Sequence, residues 1–233
     1  MLQFNGKPLP RGVGLLNYTV SSPMTTRRTI DIPEARGVTR TGSKLGARYV
    51  SLSYVLWGES VRQNGLILNE LSKWCYSEGA GQLILPGMET GYLEAECSTY
   101  PQPQIDMGQE SEIQFFCYRP EFISVAEYSG SATGANVIAG SVPTPMLFEL
   151  TVASDLTDPE FEIAGKTIAV DGTVEAGPLV IDTEFGIVRS NGENIASLLT
   201  LDSEPYIMAA PGALAVTLPT GVTGTVKWRN RWI

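Results

Sequence analysis

Among side chains able to do chemistry, this 233-residue chain offers carboxylates, three cysteines and one cluster of cations, but no histidine. Without His there is no Ser-His-Asp or Cys-His nucleophile system and no His-containing zinc site. Carboxylate chemistry survives. Glu94 and Glu96 stand two apart, and in a strand that spacing puts both acids on one face, as a glycoside hydrolase pair requires. Solvated strand carboxylates are far commoner, so no catalytic residue is nominated. No DxDxDG loop offers oxygen ligands to calcium, and no metal or cofactor site is nominated. Cys75, Cys97 and Cys117 make no CxxC pair and sit among apolar neighbours, the pattern of buried free thiols acting as small hydrophobes. The cations are the local concentration: Arg27, Arg28, Arg36, Arg40, Lys44 and Arg48 face only Asp31 and Glu34. Such an arm suits binding rather than catalysis. The plainer reading is a solvated loop; the sharper one is a segment reaching a partner subunit.

The elements that would hold these residues are mostly strands. The exception is a helix expected over Ser60–Glu78. Ser60 with Gln63 suggests a capping box. Ile67, Leu68, Leu71, Trp74 and Cys75 recur at three- and four-residue spacing. Gly79 is expected to stop the helix. Before it, Met1–Phe4 and Val13–Tyr18 are short strand candidates, and GVTRTGSKLG inside the basic stretch has no period and reads as a long loop. Arg48–Trp57 alternates Val50, Leu52, Tyr54 and Leu56 with Ser51, Ser53 and Val55. Strands at Gly81–Leu85, Tyr92–Ser98 and Ser111–Arg119 follow.

Tyr128–Thr144 is uncharged and rich in Gly, Ser, Ala and Thr. It sets a domain boundary, with a first domain over 1–130, a linker over 131–144 and a second domain over 145–233. The second half shows no helix signal. Strands are expected at Met146–Ala153, Glu160–Ala164, Lys166–Val170, Pro178–Asp182, Gly186–Arg189, Tyr206–Ala209, Ala213–Leu218 and Thr223–Trp228. Ala164-Gly165, Asp171-Gly172, Asn191-Gly192 and Pro211-Gly212 supply the turns. The fold class is therefore mainly β: an α+β first domain, antiparallel with one helix, and a β-sandwich second domain. KWRNRWI at the end reads as a strand with Lys227, Arg229 and Arg231 on one cationic face.

Net charge is −9. Up to Gly130 there are 11 Lys/Arg and 13 Asp/Glu, and from Ser131 onward 5 and 12. A globally acidic surface argues against a general nucleic-acid binder. No window approaches the length of a membrane span, and MLQFNGKPLPRGVG lacks the pattern of a secretory signal. The reading is a protein made in a cytosol.

The order of these elements resembles the distal tail (Dit) family of long-tailed bacteriophages. The likeness rests on RYVSLSYVLWGES, the helix ending NELSKWCYSEG, QLILPG, YLEAECS with Tyr92-Leu93-Glu94-Ala95, and IQFFCYRPEF with Tyr118-Arg119-Pro120. In the second half PMLFELTV, LVIDTEFGIV, SNGEN and APGALAVTL are similar to the family's galectin-like sandwich. The resemblance covers most of the chain. It implies a first domain like tail-tube proteins and a structural protein of the virion tail tip, assembled in the host cytoplasm. It implies a homo-hexameric ring joining the major tail-tube protein to the tail-associated hub protein, and receptor-binding or baseplate proteins attached outside. DNA would pass through as cargo, with no membrane insertion. In that setting Arg27, Arg28, Arg36, Arg40, Lys44 and Arg48 are candidates for an intersubunit arm. Two rivals stand beside it. A carbohydrate-binding module would stack sugar on Trp228 or Trp232, though galectin sites use a histidine this chain lacks. A tail-tube subunit would lack the second domain.

Overall fold

The computed structural model describes residues 1–31, 38–102 and 108–233, giving only the backbone of 28–31, 38–41 and 43. The chain divides into two compact units, Met1–Phe122 and Ile123–Ile233. The division falls before the stretch expected to be a linker.

In the first unit β1 (Gln3–Phe4) and β2 (Lys7–Pro8) form a hairpin. Its turn, Asn5-Gly6, has φ of 50° and 72°, the geometry that matches strand twist. Then come β3 (Val13–Val20), β4 (Thr25–Asp31), β5 (Val38–Leu45), β6 (Arg48–Leu56), α1 (Val61–Cys75), β7 (Gly81–Ile84), β8 (Gly91–Thr99) and β9 (Ser111–Cys117). The main sheet runs β2-β1-β7-β8-β9-β6-β3. Alternation decides its faces. Val50, Leu52 and Tyr54 of β6, Leu93, Ala95 and Cys97 of β8, and Ile113, Phe115 and Cys117 of β9 are buried.

Helix α1 closes that core with Leu71, Trp74 and Cys75. Trp74 meets Phe4 and Phe115 edge-on at 5.8 and 6.0 Å, and its indole N–H donates to the Lys7 carbonyl at 2.9 Å. Ser60 Oγ accepts from the Gln63 N–H at 3.3 Å. The return bond goes from the Glu59 N–H to Gln63 Oε1, one residue earlier than a capping box places it. The helix also ends three residues before Glu78. Tyr76 is already extended (φ −76°, ψ 131°), and Gly79, with φ 87°, belongs to the turn beyond. The chain leaves the helix once Cys75 is buried, because Gln82 must accept the Asn5 N–H a few residues on. The three thiols are free and buried. Cys75 hydrogen-bonds Cys97, which pushes Cys75 up and Cys97 down, and burial pushes Cys117 up to about 12.

Short β10 (Phe122–Ser124) spans the division. The second unit continues with β11 (Tyr128–Ser131), β12 (Val137–Ile138), β13 (Met146–Val152), β14 (Leu156–Thr157), β15 (Glu160–Ile163), β16 (Lys166–Ala169), β17 (Thr173–Val174), β18 (Gly177–Asp182), β19 (Ile187–Ser190), β20 (Glu193–Asn194), β21 (Gly212–Ala213), β22 (Val216–Thr217), β23 (Val222–Trp228) and β24 (Arg231–Trp232). The larger sheet runs β11-β23-β13-β18-β19-β20 and a smaller one β16-β15-β22. Phe148, Leu150, Leu179, Ile181 and Val226 from the first share a core with Phe161, Ile163 and Ile168 from the second, the sandwich the strand spacing implied. Asn191-Gly192 (φ 50° and 86°) turns β19 into β20 as expected.

Several expectations are corrected here. The Gly-rich stretch 131–144 is not a linker. Tyr128 pairs with Trp228, and Ala132 and Ile138 are buried. Its small residues permit close approach rather than motion: a Cβ on Gly130 would lie 1.9 Å from Asn136 Oδ1, and one on Gly140 2.3 Å from the Arg231 carbonyl. Tyr206–Ala209 is no strand, only Ala209 bridging Thr144. Ala213–Leu218 is split between β21 and β22. A short 3-10 turn, Ala196–Leu198, appears where no helix was expected. The C-terminal strand breaks after Trp228, so its three cations do not share a face. Lys227 pairs with Glu149 at 2.7 Å, Arg229 with Glu127 at 3.6 Å, and Arg231, almost fully buried, with Glu184 at 3.1 Å.

Candidate intersubunit hairpin

Among the described residues the basic stretch is a β-ribbon, not a loop. β4 and β5 pair antiparallel from Thr25↔Leu45 to Arg28↔Gly42, slip by one residue, and continue from Thr29↔Arg40 to Asp31↔Val38. The register of Thr25–Arg28 continues into β3 and β6 from Val20↔Val50 to Asn17↔Ser53 and shifts by one residue between Asn17 and Leu15. Bonds between the two pairs carry it across the gap: Ser21 N–H to the Tyr49 carbonyl at 2.9 Å, and Gly46 N–H to the Met24 carbonyl at 2.6 Å. Residues 13–31 and 38–56 are thus one ribbon in two segments.

The segments differ in support. β6 has β9 on its other side as far as Arg48↔Cys117. Beyond that rung the ribbon consists of β4 and β5, with no further strand beside it among the described residues. Seven residues of strand extend it by roughly 23 Å. Two strands alone are marginal in water, and two open edges offer unpaired N–H and C=O groups to any incoming chain. Thr25, Thr26, Arg27, Lys44 and Leu45 are all exposed, as is Met24. With both faces exposed among the described side chains, no alternation of apolar and polar residues is needed there, and for that reason the sequence read as a loop.

The six arm residues do not share one fate. Arg27 and Lys44 are exposed on the ribbon, opposite Ser43 and Thr26. Arg28 and Arg40 hold register positions opposite Gly42 and Thr29. Arg36 lies outside the described residues. Arg48 is corrected: it opens β6, is 4% exposed, and its guanidinium lies 5.2 Å from the centre of the Phe122 ring. Burial lowers its pKa, while the Cys117 thiol and Glu121 carboxylate raise it. Its Nε and one Nη lack an acceptor among the described residues. Arg48 is a core residue at the root of the arm.

Glu94 and Glu96 share the outer face of β8 but are engaged separately. Glu94 meets Arg119 at 3.4 Å, and Glu96 accepts from the Tyr118 hydroxyl, whose pKa it raises. Trp228 is buried and stacks on Tyr128 at 6.1 Å, so it offers no open platform for a sugar. Sequence reasoning missed a row of aromatics on the outer face of β6 and β9: Tyr49, Phe116 and Tyr118. The signal was available, since Tyr49 has the parity of Ser51 and Ser53, and Phe116 that of Gln114. Among the described residues no cluster of His, Cys, Asp and Glu could hold a metal, and no helix is long and apolar enough to cross a membrane.

Residues 139–232 match the family model for the siphovirus-type tail component, C-terminal domain. The crystal structure of the Dit protein (gp 19.1) of phage SPP1, described as a paradigm of the hub adsorption apparatus in Gram-positive-infecting phages, has the same fold. The TM-score is 0.77 at 14% identity, covering 100% of this chain and 98% of that chain. Chains of the phage P2 baseplate in its activated conformation, with Ca and with Sr, align with TM-scores of 0.46 and 0.44. Their identities are 9% and 10%, over 94% and 93% of this chain and 90% of each of theirs. Among curated proteins none matches. The resemblance to distal tail proteins is borne out by the family model in the second unit and by the fold of the whole chain.

Proposed function

We propose, from the match of residues 139–232 to the siphovirus-type tail component, C-terminal domain, that this chain is a structural subunit of the phage tail tip. Six copies form a ring that joins the tail tube to the tail-associated hub protein. The first units build the ring and surround a channel through which DNA passes. The second units hold baseplate or receptor-binding components, and the assembly takes place in the host cytoplasm.

The observation that carries the ring is the free ribbon β4–β5. A marginal, two-sided, exposed hairpin gains stability when a neighbour covers it, and a hairpin reaching from each copy onto the next makes a heterologous contact that closes into a ring. Its exposed Arg27 and Lys44 stand out in an acidic protein and favour an acidic acceptor surface.

The test is native mass at several concentrations with negative-stain images of the same sample. Six-fold rings are expected for the intact chain, alone or with co-expressed tail partners. Replacing residues 24–46 by a two-residue turn is expected to leave a folded monomer. An unchanged hexamer from the shortened chain would sink the arm.

A further inference from the structure

The outer face of β8, β9 and β6 carries mostly polar side chains, and one row on it is aromatic. Glu96, Phe116 and Tyr49 stand directly opposite one another across the three strands, and Tyr118 follows two residues after Phe116. The Tyr49 and Phe116 rings are 5.1 Å apart at 59°, those of Phe116 and Tyr118 4.9 Å apart at 89°. With Glu96 and Ser98 they wall a cavity of about 280 Å³. Tyr49 and Tyr118 are exposed. Glu96 accepts the Tyr118 hydroxyl and has no ion pair among the described residues.

Aromatic faces carry the negative side of a quadrupole, and a carboxylate at their edge adds a full charge. Together they suit a cation on a flexible, partly apolar stem. We propose that this cavity receives one cationic side chain, Arg27 or Lys44, from the hairpin of a second copy of this chain; the proposal rests on the hairpin being an intersubunit arm. Charge complementarity selects this occupant: the exposed cations of the ribbon meet a carboxylate without a cation of its own. The chain's own hairpin cannot supply it. Lys44 lies five residues before Tyr49 along the ribbon, about 17 Å for extended strand, and Arg27, across from Ser43, is farther still. The bonds from the Ser21 N–H to the Tyr49 carbonyl and from the Gly46 N–H to the Met24 carbonyl hold that segment extended, so it does not fold back.

The experiment is a charge exchange read by native mass of the full chain over a range of concentrations, with tail partners co-expressed if the ring needs them. Glu96→Arg is expected to raise the concentration at which rings form by roughly tenfold. Adding Arg27→Glu or Lys44→Glu is expected to restore it, and the one that does identifies the guest. Rings at the unaltered concentration overturn the proposal, as does failure of both second changes. Hydroxyl-radical footprinting of the unmodified chain gives a reading free of folding defects. Tyr49 and Tyr118 are expected to be shielded in rings and labelled in dilute monomer; equal labelling in both states overturns the proposal. Rings that need the hairpin but ignore Glu96 sink the cavity alone, whereas rings that form without the hairpin sink the arm reading as well.

Discussion

Residues 25–45 and 128–144 look alike in sequence and end differently. Both are poor in large apolar residues, rich in Gly, Ser and Thr, and without helical or strand period. Both become β structure. The second stretch is bound into a core: β11 pairs with β23, β12 with β21, and Ala132 and Ile138 are buried. The first pairs only with itself among the described residues. The lesson concerns partners. A weak sequence becomes a firm strand when a strong one, such as β23, lies beside it. Where no strong strand lies alongside, the same kind of sequence stays exposed and open-edged, ready for a partner from another molecule.

The largest expected contrast comes from substitution. Ile138→Asp places an unpaired charge in the second core, and Gly140→Val forces a side chain against the Arg231 carbonyl; each is expected to cost about 3–5 kcal/mol. Urea unfolding of the full chain checks this, the second unit's transition moving or vanishing while the first unit's stays. A midpoint unmoved by either change would erase the distinction between the two stretches. Next in size is amide exchange. In the monomer, amides of β11 facing β23 are expected to exchange at least about a hundredfold more slowly than those of β4, where the ribbon opens without breaking a core. Comparable protection in the monomer would mean that the ribbon is held within its own chain. The smallest effect is Lys44→Ala or Leu45→Thr, each expected to shift monomer stability by less than about 0.5 kcal/mol. Losses of several kcal/mol would place those side chains in a core rather than on an arm.

The same contrast explains what could be read from sequence. Helix α1 was legible because Leu71, Trp74 and Cys75 repeat at the helical period, and β8 and β9 because Leu93, Ala95, Cys97, Ile113, Phe115 and Cys117 alternate. Each has a buried face and a solvated one. The ribbon has no buried face among its described side chains, so periodicity was silent. The stretch 128–144 was misread for a different reason: Gly130 and Gly140 look flexible in a list of residues, while their role is to let Asn136 and Arg231 come close. Arg48 misled by its type, since a run of cations suggests solvent and nothing local announces the ring of Phe122 beneath it. Arg27 and Lys44 are exposed on a ribbon rather than a loop, and Arg48, the last of the six cations, is buried.

The paired ladder of β3–β4 with β5–β6, offset by one residue between Leu15 and Asn17 and again between Arg28 and Thr29, also bears on how the molecule carries load. A hinged arm pulled at its tip would swing and let its contacts peel away one at a time. This arm keeps one register from Asn17 to Arg28 across its root: tension along that part passes strand to strand into β6 and from there across the seven rungs to β9. Hydrogen bonds loaded in that direction share the force and yield together rather than in sequence. If the ribbon holds a neighbour as proposed, a strap anchored so deeply in its own sheet would behave as a tension member and stay taut while that neighbour is pushed or pulled.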